Sequence, residues 1–245
     1  NTFSGLITQS SGVGATIGAA SGATLILTGG ITTVNSTNFN AVAADAVINL
    51  ASTITGGGPG TNVIGLGTLN ITANQSGFTG AFNVYRGTVN VGGSGVTLGS
   101  SGAVTVYGNG VLNVSDVAGT ATSRLVNRAL TLQGGTFAYV GNSANSAETN
   151  SSALTFARSG GIFSSTQTGS GTVSLTFASL SLSTDVSAGF TGTNLGTATN
   201  KILFTTAPTP VTTAQPNNAA TSMQRIFEVA PRPRCPVTGL LIDPD

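Results

Sequence analysis

The side chains able to do chemistry are few and scattered. The 245-residue chain has no histidine, which removes the commonest general base, the Ser-His-Asp arrangement and most zinc sites. Four carboxylates precede its proline-rich end, Asp45, Asp116, Glu148 and Asp185, and they lie far apart in sequence. Polysaccharide-cleaving enzymes need such groups paired for acid and base work or gathered around calcium, so no enzymatic activity is expected. The string Gly92-Gly-Ser-Gly-Val-Thr97 approaches a calcium-binding Gly-Gly-x-Gly-x-Asp turn, but threonine stands where the carboxylate ligand belongs. No metal or cofactor is expected. Arg124 and Arg128, four apart, are read as solvated or as pairing with Asp116 or Glu148. The single Cys235 excludes an internal disulfide framework, leaving a core residue, a surface thiol or an intermolecular disulfide. The string Cys235-Pro-Val-Thr-Gly239 lacks the leading leucine of a sortase signal.

Charge narrows the partners. Eight Lys plus Arg face seven Asp plus Glu, 6% of residues where about 25% is ordinary, so the surface must rely on Ser, Thr, Asn and Gln. A net charge of +1 without a basic cluster excludes nucleic acid and polybasic lipid anchoring. No apolar run reaches the length of a membrane helix, so no membrane insertion is expected. The start at Asn1, without Met or leader, reads as a processed or excised chain compatible with export.

These residues must be positioned by a repeat. One phrase recurs as Gly67-Thr-Leu-Asn-Ile, Gly87-Thr-Val-Asn-Val and Gly110-Val-Leu-Asn-Val, and it continues at Gly135 and Gly161 with intervals of 20, 23, 25 and 26 residues. One coil of a parallel β-helix needs about that many, whereas a propeller blade needs roughly 40 to 50. The expected fold is all-β: a single-stranded right-handed parallel β-helix of residues 1–206, clearest over 67–175. Its eight or nine coils would make a rod on the order of 40 Å long. Residues 1 to about 60 alternate apolar and small polar positions between Gly and Ser breaks, as strands do. The nearest helix candidate, Asn40 to Ala51, reads more readily as strand or loop.

Parity within the phrase assigns faces. Leu69, Ile71, Val89, Val91, Leu112, Val114, Phe137 and Tyr139 should stack inward, and each buried aliphatic or Phe side chain contributes roughly 1.5 to 3 kcal/mol. Thr68, Asn70, Thr88, Asn90 and Asn113 should form an outward ladder. Val111 and Ile162 interrupt that stripe, which argues against the flat threonine array of an ice-binding face. Gly92, Gly93, Gly95, Gly99, Gly102, Gly108 and Gly110 fit corners of the coil.

Residues 67 to 114 resemble the autotransporter-associated β-strand repeat of bacterial secreted and cell-surface proteins. The likeness rests on GTLNI followed by SGFTGAFNVYRGTVNVGGSGVTLGSSGAVTVYGNGVLNV, and continues through RLVNRALTLQGGTFAYVGN and FTGTNLGTATNKILFTTAPT, as in planctomycete-like arrays. It implies a parallel β-helix outside the cell and carries no shared activity and no catalytic residues. Many family members precede an outer-membrane barrel, and nothing here reads as one.

Beyond residue 206 the composition shifts. Seven of the eight prolines lie there, and proline removes a ladder donor. Residues 207–245 are expected to form a disordered tail or an ordered arm whose docking side chains would be Ile226, Phe227 and Val229, with Cys235 beyond them. The function expected is a non-enzymatic extracellular scaffold that associates with copies of itself, end to end, into a fibre. The alternative is an adhesin or glycan-binding module presenting its Ser/Thr/Asn face. Sugar platforms need exposed rings; Tyr139 falls inward, and Tyr85 and Tyr107 fit either side.

Overall fold

A computed structural model describes residues 1–12, 14–119 and 123–208, and the backbone of 227–229. Among these residues there is no helix, and every strand pairs in parallel with its neighbours. The chain winds into a β-solenoid of about eight turns, and each coil visits a first, a third and a second face in that order.

The first face is a nine-stranded sheet running from Thr2–Phe3 to Ala188–Thr191. The recurring phrase lies at its centre, where Thr68–Ile71, Gly87–Gly92, Gly110–Ser115 and Thr136–Val140 stack in order. Their register sets Leu69 on Val89, Val89 on Leu112 and Leu112 on Phe137. The same register carries Thr68 back onto Val47 and Val47 onto Thr24. The second face is an eight-stranded sheet from Ala15–Ala19 to Leu180–Leu182.

Between the faces lies one continuous apolar core. Leu69, Ile71, Val89, Val91, Leu112, Val114 and Phe137 are all buried within it, as is Tyr139. Toward the C-terminal coils the core becomes aromatic: Phe163 packs on Phe137, Phe177 and Phe190. The inward positions there follow the same alternation, so larger rings replace Val and Leu without a change of register.

The third face is discontinuous. Three short strands, Ile7–Thr8, Ile31–Thr32 and Ile54–Thr55, line the first coils, and Ser146–Asn150, Val173–Phe177, Asn200–Phe204 and Phe227–Val229 line the last. Across the three middle coils the described residues form no strand on this side, only turns and the single bridge from Gly56 to Phe78.

The corner glycines divide into two kinds. Gly93, Gly95, Gly99 and Gly102 take positive φ, but Gly92 and Gly110 lie inside strands because the extended phrase continues through them. Residues 40–51 hold the end of strand Thr37–Ala41, a turn and strand Val47–Leu50. In the C-terminal segment, Phe227–Val229 adds a parallel strand beside Asn200–Phe204, setting Phe227 against Ile202. Ile226 and Cys235 lie outside the described residues.

Candidate functional site

Four titratable side chains converge where the third face has no sheet. Asp116 follows the first-face strand Gly110–Ser115, Glu148 sits in the third-face strand Ser146–Asn150, and Arg124 and Arg128 flank a tight turn between them. All four are fully or almost fully buried. Of the two alternatives read for the arginines, pairing with Asp116 holds for Arg124, and solvation is corrected for both. They occupy an irregular turn that aims both guanidinium groups at backbone carbonyls inside the coil.

Arg124 is the centre of this cluster. Its Nε donates to Asp116 Oδ1 at 2.8 Å, and its Nη1 donates to the carbonyls of Gly93 and Val96, both at 2.9 Å. Its Nη2 donates to the carbonyl of Gly119. The other oxygen of Asp116 accepts from the Tyr139 hydroxyl at 2.7 Å. Burial and the bond to Asp116 push the Tyr139 hydroxyl pKa well above the ordinary phenolic value, so Tyr139 stays protonated and remains a donor.

Glu148 accepts from the backbone instead. Its Oε2 receives the Arg124 N–H at 2.7 Å, and its Oε1 receives the Leu125 N–H at 3.0 Å and the Ser123 hydroxyl at 2.9 Å. This caps the turn much as a carboxylate caps a helix start, satisfying donors that have no strand partner. Burial raises the Glu148 pKa to about 7, opposed by those three hydrogen bonds and reinforced by the nearby charge of Asp116.

Among the described residues Arg128 pairs with no acid. Its Nε, Nη1 and Nη2 donate to the carbonyls of Gly99, Gly80 and Phe78 at 3.2, 2.9 and 3.2 Å, and its Cζ lies 5.0 Å from the centre of the Phe78 ring. Burial lowers its pKa to about 10, which leaves it cationic at neutral pH. One side chain thus ties two successive coils through carbonyls that a sheet would otherwise engage. Gly99 makes room for this: its φ is +91°, and a Cβ there would lie 2.1 Å from the Phe78 carbonyl oxygen.

Gln75 repeats the device two coils earlier. Its Oε1 accepts the Ile54 N–H at 2.6 Å, and its Nε2 donates to the carbonyls of Ser52 and Ala73 at 3.0 and 2.7 Å. The glycine string at residues 92–97 lies in the same break. Its carbonyls at Gly93 and Val96 converge on a guanidinium, in the manner of a cation site filled by a side chain of the chain itself.

The outward positions are ordered as columns. On the first face Asn70 donates to Asn49 at 2.8 Å, Asn90 to Asn70 at 2.8 Å and Asn113 to Asn90 at 2.9 Å. Thr68 and Thr88 stand beside them, also half-buried and outward. A second column, which sequence reasoning missed, runs through Asn38, Asn62 and Asn83 on the second face, each step 3.0 Å. Its signal was present in Thr37-Asn-Phe, Thr61-Asn-Val and Phe82-Asn-Val, where one asparagine sits between two inward residues. Further along the second face Tyr85 and Tyr107 stack on each other, centroids 4.4 Å apart and planes 14° from parallel.

Among the described residues the remaining acids, Asp45 and Asp185, stand apart from the cluster. Asp45 is exposed and accepts from Ser21, with its pKa lowered by the Gly22 N–H and by that hydroxyl. Asp185 is exposed at a turn. Comparison of the chain with family models, with curated proteins and with solved structures returned no match.

Proposed function

We propose that this chain is a non-enzymatic scaffold whose product is its shape, a stretch of secreted or cell-surface bacterial β-helix of the autotransporter-associated type. The observation that carries the reading is the condition of its buried acids. Both oxygens of Asp116 and both of Glu148 are occupied by donors of the same chain, and neither residue is exposed. Groups held this way stitch coils together and leave no proton-transfer geometry for a substrate. The outward amides, bonded to one another along the axis, support the same reading.

A scaffold of this kind grows by adding coils. Thr2–Phe3, Ile7–Thr8 and Ala15–Ala19 are edge strands of their sheets, as are Ala188–Thr191 and Leu180–Leu182 at the other end. Such edges accept a further coil, from the same polypeptide or from another copy. Phe3 and Leu6 are exposed beside the first edge, giving an added coil an apolar surface to cover. The adhesin alternative draws on the exposed Tyr85 and the half-buried Tyr107. Their ring faces are turned to each other, and a sugar platform uses ring faces, so the scaffold reading comes first.

Electron micrographs of the purified 245-residue chain over a concentration series test this reading. Rods that lengthen by whole multiples of one molecule are expected. Single particles of constant length at every concentration would remove self-association and leave a monomeric spacer. Saturable binding on a glycan array, abolished by Tyr85→Ala or Tyr107→Ala, would put the adhesin reading in its place.

A further inference from the structure

We propose that Tyr85 and Tyr107 form an oxidative cross-linking site, at which one carbon–carbon bond joins two neighbouring coils. The pairing of Val84 with Val106 places the two tyrosines one above the other on adjacent coils of the second face. Neighbouring strands are separated by about 4.8 Å, close to the stacking distance of aromatic rings, so the rings stack without leaving the strand register. Their centroids are 4.4 Å apart and their planes lie 14° from parallel. Tyr85 is 39% exposed and Tyr107 half-buried, so a small oxidant reaches both.

The chemistry balances with a peroxide as two-electron oxidant and a haem peroxidase as catalyst. Each phenol loses one electron and one proton, giving two phenoxyl radicals. The radicals join through the carbons ortho to the oxygens, and the two ortho protons move to oxygen to restore both phenols. The net change is the loss of two hydrogen atoms from the protein, with the peroxide reduced to two waters. Pre-stacked rings make the coupling unimolecular, which favours it over collision between molecules.

The location gives the bond a consequence. Tyr85 and Tyr107 belong to two of the middle coils, whose third faces have no sheet and are tied by Arg128 through Phe78, Gly80 and Gly99. A bond between the rings would fasten these coils on the opposite side of the break. Tyr139, the only other tyrosine in the chain, is buried and engaged with Asp116, and the absence of tryptophan removes a competing ring.

The test is treatment of the Cys235→Ser protein with hydrogen peroxide and peroxidase, followed by trypsin and mass spectrometry. Cleavage after Arg86 and Arg124 separates the two tyrosines into peptides 1–86 and 87–124. The expected product is these two peptides joined with the loss of two hydrogens, accompanied by dityrosine fluorescence in the monomer band. Its rate should be independent of protein concentration, and it should be lost in both Tyr85→Phe and Tyr107→Phe. The coupled monomer should unfold at higher denaturant concentration than the untreated one. Coupling found only in dimers, a rate rising with protein concentration, or a joined product that survives either Phe variant would overturn the proposal. So would oxidation that consumes both tyrosines without joining them.

Discussion

The first and third faces solve the same problem in different ways. On the first face every coil supplies a strand, backbone groups pair in a continuous ladder, and the outward asparagines add a second ladder in which each amide bonds the next. On the third face the middle coils supply turns, and the carbonyls and N–H groups that lose their ladder partners are met by Arg124, Arg128, Gln75 and Glu148. The first solution is repetitive and shared among many equal contacts. The second is concentrated in a few buried side chains, so its failures should be larger and more local.

Arg124→Met gives the largest expected effect. It leaves Asp116 buried with one partner and strands the carbonyls of Gly93, Val96 and Gly119, a loss of about 3–5 kcal/mol by analogy with other broken buried pairs. Urea unfolding followed by circular dichroism measures it. A loss no greater than that of a ladder asparagine would erase the contrast between the faces.

A pair of glycine substitutions sharpens the contrast next. Gly99→Ala in the break forces a side chain onto a φ of +91° and into the Phe78 carbonyl that Arg128 binds, at a cost of about 2–4 kcal/mol. Gly92→Ala on the first face meets nothing closer than 3.5 Å and should change stability by less than about 1 kcal/mol. Thermal melts of both variants check the pair.

Only the break should depend on pH near neutrality. The folded pKa of Glu148, about 7, stands above the ordinary value of 4.5, so in that window the folded chain binds more protons than the unfolded one. The contribution is therefore fully present below about pH 4.5 and lost as pH rises toward 7, a fall of about 1–3 kcal/mol. Denaturant midpoints measured across this window should decline in the natural chain and stay flatter in Glu148→Gln.

The ladder should yield the smallest change. Asn90→Ala removes one donated and one accepted amide bond, but water replaces both on a half-buried surface, and the cost is about 1 kcal/mol. Asn113→Ala removes the bond to Asn90 at the end of the column and should cost less. Equilibrium unfolding of the two variants orders them.

The same difference decides what could be read from the chain. The first face was legible because Gly-Thr-Leu-Asn-Ile and its successors recur at coil spacing, and alternation within them separates Leu69 and Ile71 from Thr68 and Asn70. The solenoid followed from that. Asn49 and the column through Asn38, Asn62 and Asn83 carried the same signal in less regular phrases. The buried cluster had no such signal, since Asp116 and Arg124 sit in one coil and Glu148 in the next, and none of them recurs at coil spacing. The one available hint was Arg124-Leu-Val-Asn-Arg128, two charges in a chain nearly without them, with no acid close by in sequence to neutralise Arg128. A solvated arginine and one bonded to inward carbonyls look alike until the turn that aims it is known.

Amide hydrogen exchange tests the central claim most directly, because it compares the faces residue by residue. If buried side chains replace the missing sheet, the Leu98 amide bonded to the Arg124 carbonyl and the Gln75 amide bonded to the Thr97 carbonyl should exchange as slowly as those of Val89 and Val91 in the first-face ladder. Arg124→Met should release Leu98 while leaving Val89 and Val91 protected. Rapid exchange of Leu98 and Gln75 in the natural chain, beside a slow first face, would contradict the account by showing a third face that stands open.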